Sequence, residues 1–468
     1  MPSFGNDVFF ASIAEIQAGI RSKQFSCAEL TRAFCDRLER LGPRYNALAL
    51  SLRDSAVRKA RDIDGDFRRE RIRSPLQGVP YAVKDLISVA GQPTTWGAKP
   101  YASQVFDQDA AVVKRLSKAG AILIGKLSMV ELAGGGGYRF ANASLQGPGI
   151  NPWDPSRWSG GSSSGSGSAV AAGLVPYALG SETSGSILTP SAYCGITGLR
   201  PTYGFVNRAG CMPLSWTLDK IGPMAHSAED CALILEAISG GGGNDDPGAS
   251  GKRFYYTPQF APKLTELKFG YNPSSFTDGV VESARPAFAQ ALDAVRSLGL
   301  KLVESKLPDF PFGPMVSTII SAEMGSVFED LVASGKVDEL ADKRQIAGVK
   351  VSQQVLARDY LRAMRVRRLV QQEFAKLFWD VDIWLSPSLS TPATRLDEPL
   401  DNPAIPSTPM IPAGNLAGIP ALSLPCGFAN NLPLGLAFAG PPYSENKLVA
   451  AGKAFQSATD WHKRRPPV

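Results

Sequence analysis

Two serine-rich segments and one lysine are the residues of this sequence best suited to covalent chemistry. The segments read Gly160-Gly161-Ser162-Ser163-Ser164-Gly165-Ser166-Gly167-Ser168 and Ser181-Glu182-Thr183-Ser184-Gly185-Ser186. A serine hydroxyl is a weak nucleophile until a base takes its proton. The chain holds only two histidines, His226 and His462. His226 sits beside Ser227 just before a helical pattern, where it stabilises a helix start, and His462 lies in a charged C-terminal stretch. The base candidate is instead Lys84, in Gly78-Val79-Pro80-Tyr81-Ala82-Val83-Lys84-Asp85. A lysine accepts a proton only when neutral, and its ordinary pKa is about 10.4. Burial lowers that value. Such a site must therefore be desolvated, with hydroxyls rather than carboxylates around the amine. The small residues before Ser186 allow a sharp turn that aims several N–H groups at one point, as an oxyanion hole requires.

Each of these features also has a plainer reading. Gly/Ser runs are what linkers are made of. Against a linker at 160–168, the apolar stretch 169–179 follows directly. Short Ser/Gly turns are commonly structural, and Lys84 next to Asp85 reads as an ion pair at a strand end. The pattern from Gly120 to Gly125-Lys126 starts like a phosphate-binding loop, but Leu127 stands where Ser or Thr is needed and an apolar strand fills the interior. With no His pair and no C-x-x-C spacing, no metal site and no cofactor is expected.

The elements that must position these residues alternate between strand and helix. Ser26 and Glu29 form a capping-box pattern, and a helix is expected to 41. Further helices are read at 54–64, 109–119, 228–238, 281–298, 317–334, 352–378 and 445–460. Strands are read at the end of 76–84 and at 121–125, 267–271, 301–303, 381–385, 422–424 and 434–438. The expectation is an α/β fold with a large mixed central sheet flanked by helices on both faces. It is read as a single domain over 1–468. Within it lie a helical N-terminal part (8–70), a core at 75–240, a variable helical part covering the pocket (241–400) and a C-terminal core segment (401–468). The glycine-rich segment near 240–250 reads as a surface loop.

The 468 residues are 44% hydrophobic and 20% charged, enough apolar material for a large core. The net charge is +6 and its cations are scattered, which argues against nucleic-acid binding. Six widely spaced cysteines make no disulfide framework, so free thiols are expected. No signal peptide is read at the N-terminus, and prolines break the long uncharged runs that would otherwise suit a membrane span. The expectation is a cytoplasmic protein with no membrane contact.

Taken together, these segments resemble the amidase signature family. Gly78 to Asp85 is similar to its lysine motif, and Gly160-Gly161-Ser162-Ser163 with Ser181 to Ile187 is similar to its serine-rich signature. Twenty-four residues separate Ser162 and Ser186, which is the family's spacing. Gly195-Ile196-Thr197-Gly198-Leu199-Arg200-Pro201-Thr202, Asn415-Leu416-Ala417-Gly418-Ile419-Pro420-Ala421 and Asp460-Trp461-His462-Lys463 extend the likeness. The resemblance implies a Ser-cisSer-Lys triad. Ser186 is then the nucleophile, Ser162 (in a cis peptide) the relay, and Lys84 the base. It also implies an oxyanion hole from the N–H groups of Thr183, Ser184, Gly185 and Ser186. Ser163 would help hold Lys84, with Glu182 in support.

Three departures bear on substrate. Ser184 stands where many members have Gly, Leu188 where many have Arg, and Glu182 where Asp is usual. The resemblance implies acyl transfer to water through an acyl-enzyme. With Leu188 uncharged and no acid at 409–415, a neutral, fairly apolar amide is expected, an anilide or a urethane (carbamate) being suitable examples. The expected pocket residues are Gly136, Tyr138, Arg139, Phe140, Ile187, Leu188 and Gly414. The expected partners are this small molecule alone, with no nucleic acid and no membrane, for a monomer or homodimer. Two alternatives stand beside this. One is the glutamine-hydrolysing subunit of a glutamyl-tRNA amidotransferase, which needs charged pocket residues to hold a zwitterion. The other is a non-catalytic or partner-dependent assembly subunit.

Overall fold

Capping chemistry starts the first two helices of the computed structural model, which describes residues 5–241, 245–261, 263–406 and 408–468. Ser12 with Glu15 opens α1 (Ile13–Arg21), and Ser26 with Glu29 opens α2 (Cys27–Leu41), each as a reciprocal capping box. Strand β1 (Leu48–Ser51) leads into α3 (Arg53–Arg68). Strands β2 (Pro80–Lys84) and β3 (Ile122–Leu127) flank α4 (Ala111–Ala119). That helix stops at Gly120, whose φ of 87° is a left-handed cap that favours glycine.

A short ribbon of β4 (Ile150–Asn151) and β5 (Asp154–Trp158) precedes the signature segments. These fold as α5 (Ser164–Ala171), β6 (Tyr177–Glu182) and α6 (Leu188–Cys194). The chain then runs through β7 (Thr197–Arg200), β8 (Lys220–Ala225) and α7 (Ala228–Ile238). Next come β9 (Lys268–Tyr271), α8 (Arg285–Ser297) and β10 (Lys301–Glu304). A helical stretch follows, with α9 (Phe312–Val327), α10 (Glu329–Ala333), α11 (Lys343–Ser352) and α12 (Ala357–Asp380). Strand β11 (Ile383–Pro387), α13 (Met410–Ala417), β12 (Ala421–Ala429), β13 (Leu432–Ala439) and α14 (Glu445–Ala458) close it.

Eleven strands form one sheet in the order β1-β3-β2-β6-β8-β7-β12-β13-β11-β9-β10. It is mixed: β2 runs parallel to both β3 and β6, while β8 is antiparallel to β6 and to β7. Every residue of β2, β6, β8 and β13 is buried, so these strands show no polar alternation. A second apolar cluster joins Phe312, Val316 and Ile319 of α9 to Val370 and Phe374 of α12 and Leu416 of α13. Among the described residues no helix is long and apolar enough to cross a membrane.

The structure departs from the sequence reading at particular places. Residues 160–168 are buried throughout, not a linker. The pattern at 317–334 is two helices, α9 ending at Val327 and α10 covering Glu329–Ala333, whereas that at 352–378 is the single helix α12, beginning at Ala357. His226 does not cap α7; the Ser227 hydroxyl does, accepting the Asp230 N–H. Of the expected loop near 240–250, residues 242–244 lie outside the described residues, and Ser239 and Gly240 are buried.

Candidate active site

Strand geometry places Lys84 within the central sheet. It ends β2, a middle strand flanked by β3 and β6, and is fully buried. Its Nζ lies 2.7 Å from Ser162 Oγ and 2.9 Å from Ser181 Oγ. Neither contact is a carboxylate. The neighbouring Asp85 pairs with Lys126 Nζ at 2.8 Å, so the plain reading of Lys84 as Asp85's ion partner does not hold. Burial drives the Lys84 ammonium down to about 7, against a weaker upward pull from Asp219 and Glu182. A substantial fraction is therefore neutral at physiological pH, the form that can take a proton.

Ser162 follows Gly161 across a cis peptide. Gly161 has no room for a side chain: a Cβ there would lie 2.7 Å from Trp158 and 2.8 Å from Val130. Ser163 makes no hydrogen bond to Lys84. Its hydroxyl accepts the Ser181 N–H and donates to the Ser181 carbonyl, so it fixes Ser181, which in turn holds the lysine. Ser181 is a direct contact of Lys84 to which the sequence reading assigns no role.

The turn 183–187 carries Ser186 and the expected oxyanion donors, and it is pinned at both ends. At one end the Thr183 hydroxyl donates to Asp219 at 2.6 Å. Asp219 also accepts the N–H groups of Leu214 and Ser215. At the other end Glu182 accepts the N–H groups of Ile187 (2.9 Å) and Leu188 (3.1 Å). Its second oxygen takes Arg200 at 3.0 Å and Asn415 at 2.8 Å. Burial opposes a charge on Glu182, yet Arg200, Lys220 and these hydrogen bonds hold its carboxyl down to about 2. Gly185 sits at φ 92°, the left-handed conformation that lets the turn reverse. Among the described residues, no protein group accepts the N–H of Ser184, Gly185 or Ser186. A row of unspent donors beside a hydroxyl is suited to a developing oxyanion.

Ser186 faces a cavity of about 370 Å³. Gly134, Tyr138, Trp158, Gly161, Thr183 and Ser184 contribute to its wall, with Leu214, Ile320 and Leu400 as apolar surface. Arg344, from the first turn of α11, and Asp401 also line it, and the two are ion-paired. The sequence suggests a pocket poor in charge because Leu188 and 409–415 are uncharged. The two charged residues instead come from positions 57 apart, Arg344 in the variable part and Asp401 at the start of the C-terminal segment, and no local spacing signals them. A second cavity of about 230 Å³ lies against Ser181, Thr183 and Asp219. Among the described residues, no group of three or more His, Cys, Asp or Glu is arranged to hold a metal ion.

The expected pocket residues are divided. Tyr138 lines the cavity, its ring edge-on to Trp158 at 6.1 Å. Gly136 is pressed against α11, where a Cβ would lie 2.7 Å from the Gln345 carbonyl. The Arg139 and Phe140 N–H groups donate to Asp342, the cap of α11, and neither residue is part of the cavity wall. Ile187 and Leu188 point into the core, and Gly414 abuts Arg200.

The amidase family profile matches residues 29–449. The chain is 37% identical to a glutamyl-tRNA(Gln) amidotransferase subunit of Chromohalobacter salexigens, over 97% of this chain and 98% of that one. It superposes on the native peptide amidase of Stenotrophomonas maltophilia with a TM-score of 0.86, at 29% identity and covering 98% of each chain. A structure described as a vestigial protein complex, bearing on the origins of an s-triazine catabolic enzyme, matches with a TM-score of 0.86. It is 31% identical, over 96% of this chain and 98% of that one. Three relatives at 34–37% identity, each matched over 97% or more of this chain, are named as subunits. That finding overturns the expectation of a monomer or homodimer whose only partner is a small molecule.

Proposed function

The chain belongs to the amidase family, and from that premise we propose that it hydrolyses the amide of a small α-amino-acid amide such as glutamine, working as a subunit beside a protein partner. One observation carries the substrate class: opposite charges, Arg344 and Asp401, line the cavity that opens onto Ser186. Both side chains are about half exposed and so reachable by a ligand. A guanidinium binds a carboxylate bidentately, and a carboxylate binds an ammonium. The pair thus offers both partners that an amino-acid zwitterion needs, leaving its amide to reach the serine.

The reaction assigns each group one task. Ser186 Oγ attacks the amide carbon as its proton passes through Ser162 to neutral Lys84. The carbonyl oxygen becomes an oxyanion facing the N–H groups of the 183–186 turn. The C–N bond breaks, the nitrogen takes a proton back through Ser162 and leaves as ammonia, and an acyl-Ser186 ester remains. Water then attacks the ester, its proton follows the same relay, and the acid is released with Ser186 restored.

The second reading, a neutral apolar amide, anilide or urethane, rests on the aromatic and aliphatic wall of Tyr138, Trp158, Leu214, Ile320 and Leu400. Ammonia release from glutamine and amine release from a neutral anilide separate the two. The zwitterion reading expects turnover of glutamine and a KM at least tenfold higher in Arg344→Ala, with the anilide slow and indifferent to that change. Preferential anilide turnover, unaltered by Arg344→Ala, would reverse the choice.

A further inference from the structure

The longest helix of the molecule has one face that its own fold leaves unused. Helix α12 buries Ala363, Arg367, Val370, Phe374 and Leu377. Arg367 is spent inside, donating to the carbonyls of Leu416 and Thr217 at 2.9 Å each. The opposite face carries Leu361, Leu369 and Trp379, exposed by 58%, 50% and 81%. Arg358, Arg362, Arg365 and Arg368 stand among them, all exposed. Six of them, from Arg358 to Leu369, recur at helical spacing of three and four, and Trp379, ten residues further on, falls on the same side of the helix. Between Leu361 and Trp379 the stripe runs about 27 Å at 1.5 Å per residue.

These four arginines make no ion pair with any described residue. The only ion pair that α12 forms among the described residues is Glu373 with Lys376. Elsewhere on the protein exposed arginines do find acids, as Arg395 does with Asp397 and Arg296 with Asp293. The stripe thus combines an unneutralised positive charge with large apolar side chains held clear of the core.

We propose that this face of α12 docks an acidic amphipathic helix of a partner protein, its carboxylates forking onto the arginines and its apolar residues covering Leu361, Leu369 and Trp379. Charge complementarity selects the partner's sign, and guanidinium geometry favours carboxylates. Arginine and tryptophan are also the side chains that most often anchor protein interfaces. A membrane surface fits less well, because an interfacial helix sinks a continuous apolar face into lipid and that face of α12 already packs on α9 and α13. Nucleic acid fits less well because leucines interrupt the cations. The proposal shares with the reading above only the existence of a protein partner.

The test uses the full chain and a fluorescein-labelled synthetic helix of about 24 residues, long enough to span the stripe, with leucines flanked by glutamates, read by anisotropy. Wild type is expected to bind it, and Arg362→Glu/Arg365→Glu/Arg368→Glu to bind at least tenfold more weakly. A peptide with lysine for glutamate restores binding to that variant. Replacing the peptide's leucines by serine weakens binding to wild type at least tenfold. Circular dichroism shows whether the variant is folded, and amide hydrolysis is assayed separately, so failure of glutamine turnover leaves this test standing. No binding of the acidic helix, equal binding by the charge-reversed variant, or arginine-dependent preference for transfer RNA or phosphatidylserine vesicles would overturn the proposal.

Discussion

Lys84 and Lys126 lie one residue out of register on adjacent parallel strands, β2 and β3, and both are sealed from water. They are held in opposite ways. Lys126 has Asp85 at 2.8 Å, with Thr94 Oγ1 at 2.5 Å and the Pro93 carbonyl at 2.7 Å. Lys84 has two serine hydroxyls. Burial lowers both amines, but at Lys126 the Asp85 charge pulls back hard from direct contact, whereas the carboxylates acting on Lys84 do so from beyond its hydrogen-bonding shell. Burial alone therefore does not make a base. What distinguishes the two is which of them the chain leaves without a counter-ion, and Lys126 does this for Lys84 by occupying its sequence neighbour.

The largest effect should separate them in catalysis. Lys84→Met is expected to cut kcat by about 10²–10⁴, the usual worth of a positioned base. Folded Lys126→Met should retain most of its activity. Steady-state rates, normalised to active protein, check both, and equal losses would break the comparison.

Stability should rank them the other way. Lys126→Met strands the Asp85 carboxylate and is expected to cost about 3–5 kcal/mol in denaturant unfolding. Lys84→Met removes a buried amine that has no ion partner and should cost clearly less.

Smaller still is the effect of Ser181→Ala. Ser181 Oγ stabilises the charged form of Lys84, so its loss should move the midpoint of the pH–rate profile below 7 by about one unit, worth about 1.4 kcal/mol. Wild-type activity itself should rise with pH through about 7 and then level off, because the depressed lysine must lose its proton before it can act. An acid optimum would contradict this sign.

Much of the fold is legible because its helices announce themselves. Ser26 and Glu29 name the start of α2, and the pattern at 228–238 coincides with α7 to the residue. Helices α5, α6 and α13 are not legible. Each is buried nearly all round, so none shows an amphipathic period, and each contains Gly or Pro that normally argues against a helix. In the site, Lys84, Ser162 and Ser186 are recognisable because they stand in segments that resemble the family's lysine and serine-rich motifs. Ser181 escapes because its role is a hydrogen bond across 97 residues of sequence. Arg344 and Asp401 escape because tertiary packing alone brings them to the cavity, Arg344 on α11 and Asp401 beside Leu400, whose N–H donates to the Arg139 carbonyl.

The central claim is that Lys84, neutral by burial, activates Ser186 through Ser162. Its most direct test is the rate of fluorophosphonate labelling across neutral pH, from well below to well above the lysine's midpoint, read by intact mass for wild type, Lys84→Met and Lys126→Met. A single adduct is expected on Ser186, forming at a rate that rises with a midpoint near 7 in wild type and in folded Lys126→Met, and lost in Lys84→Met. Labelling that ignores pH, or that survives in Lys84→Met, would contradict it.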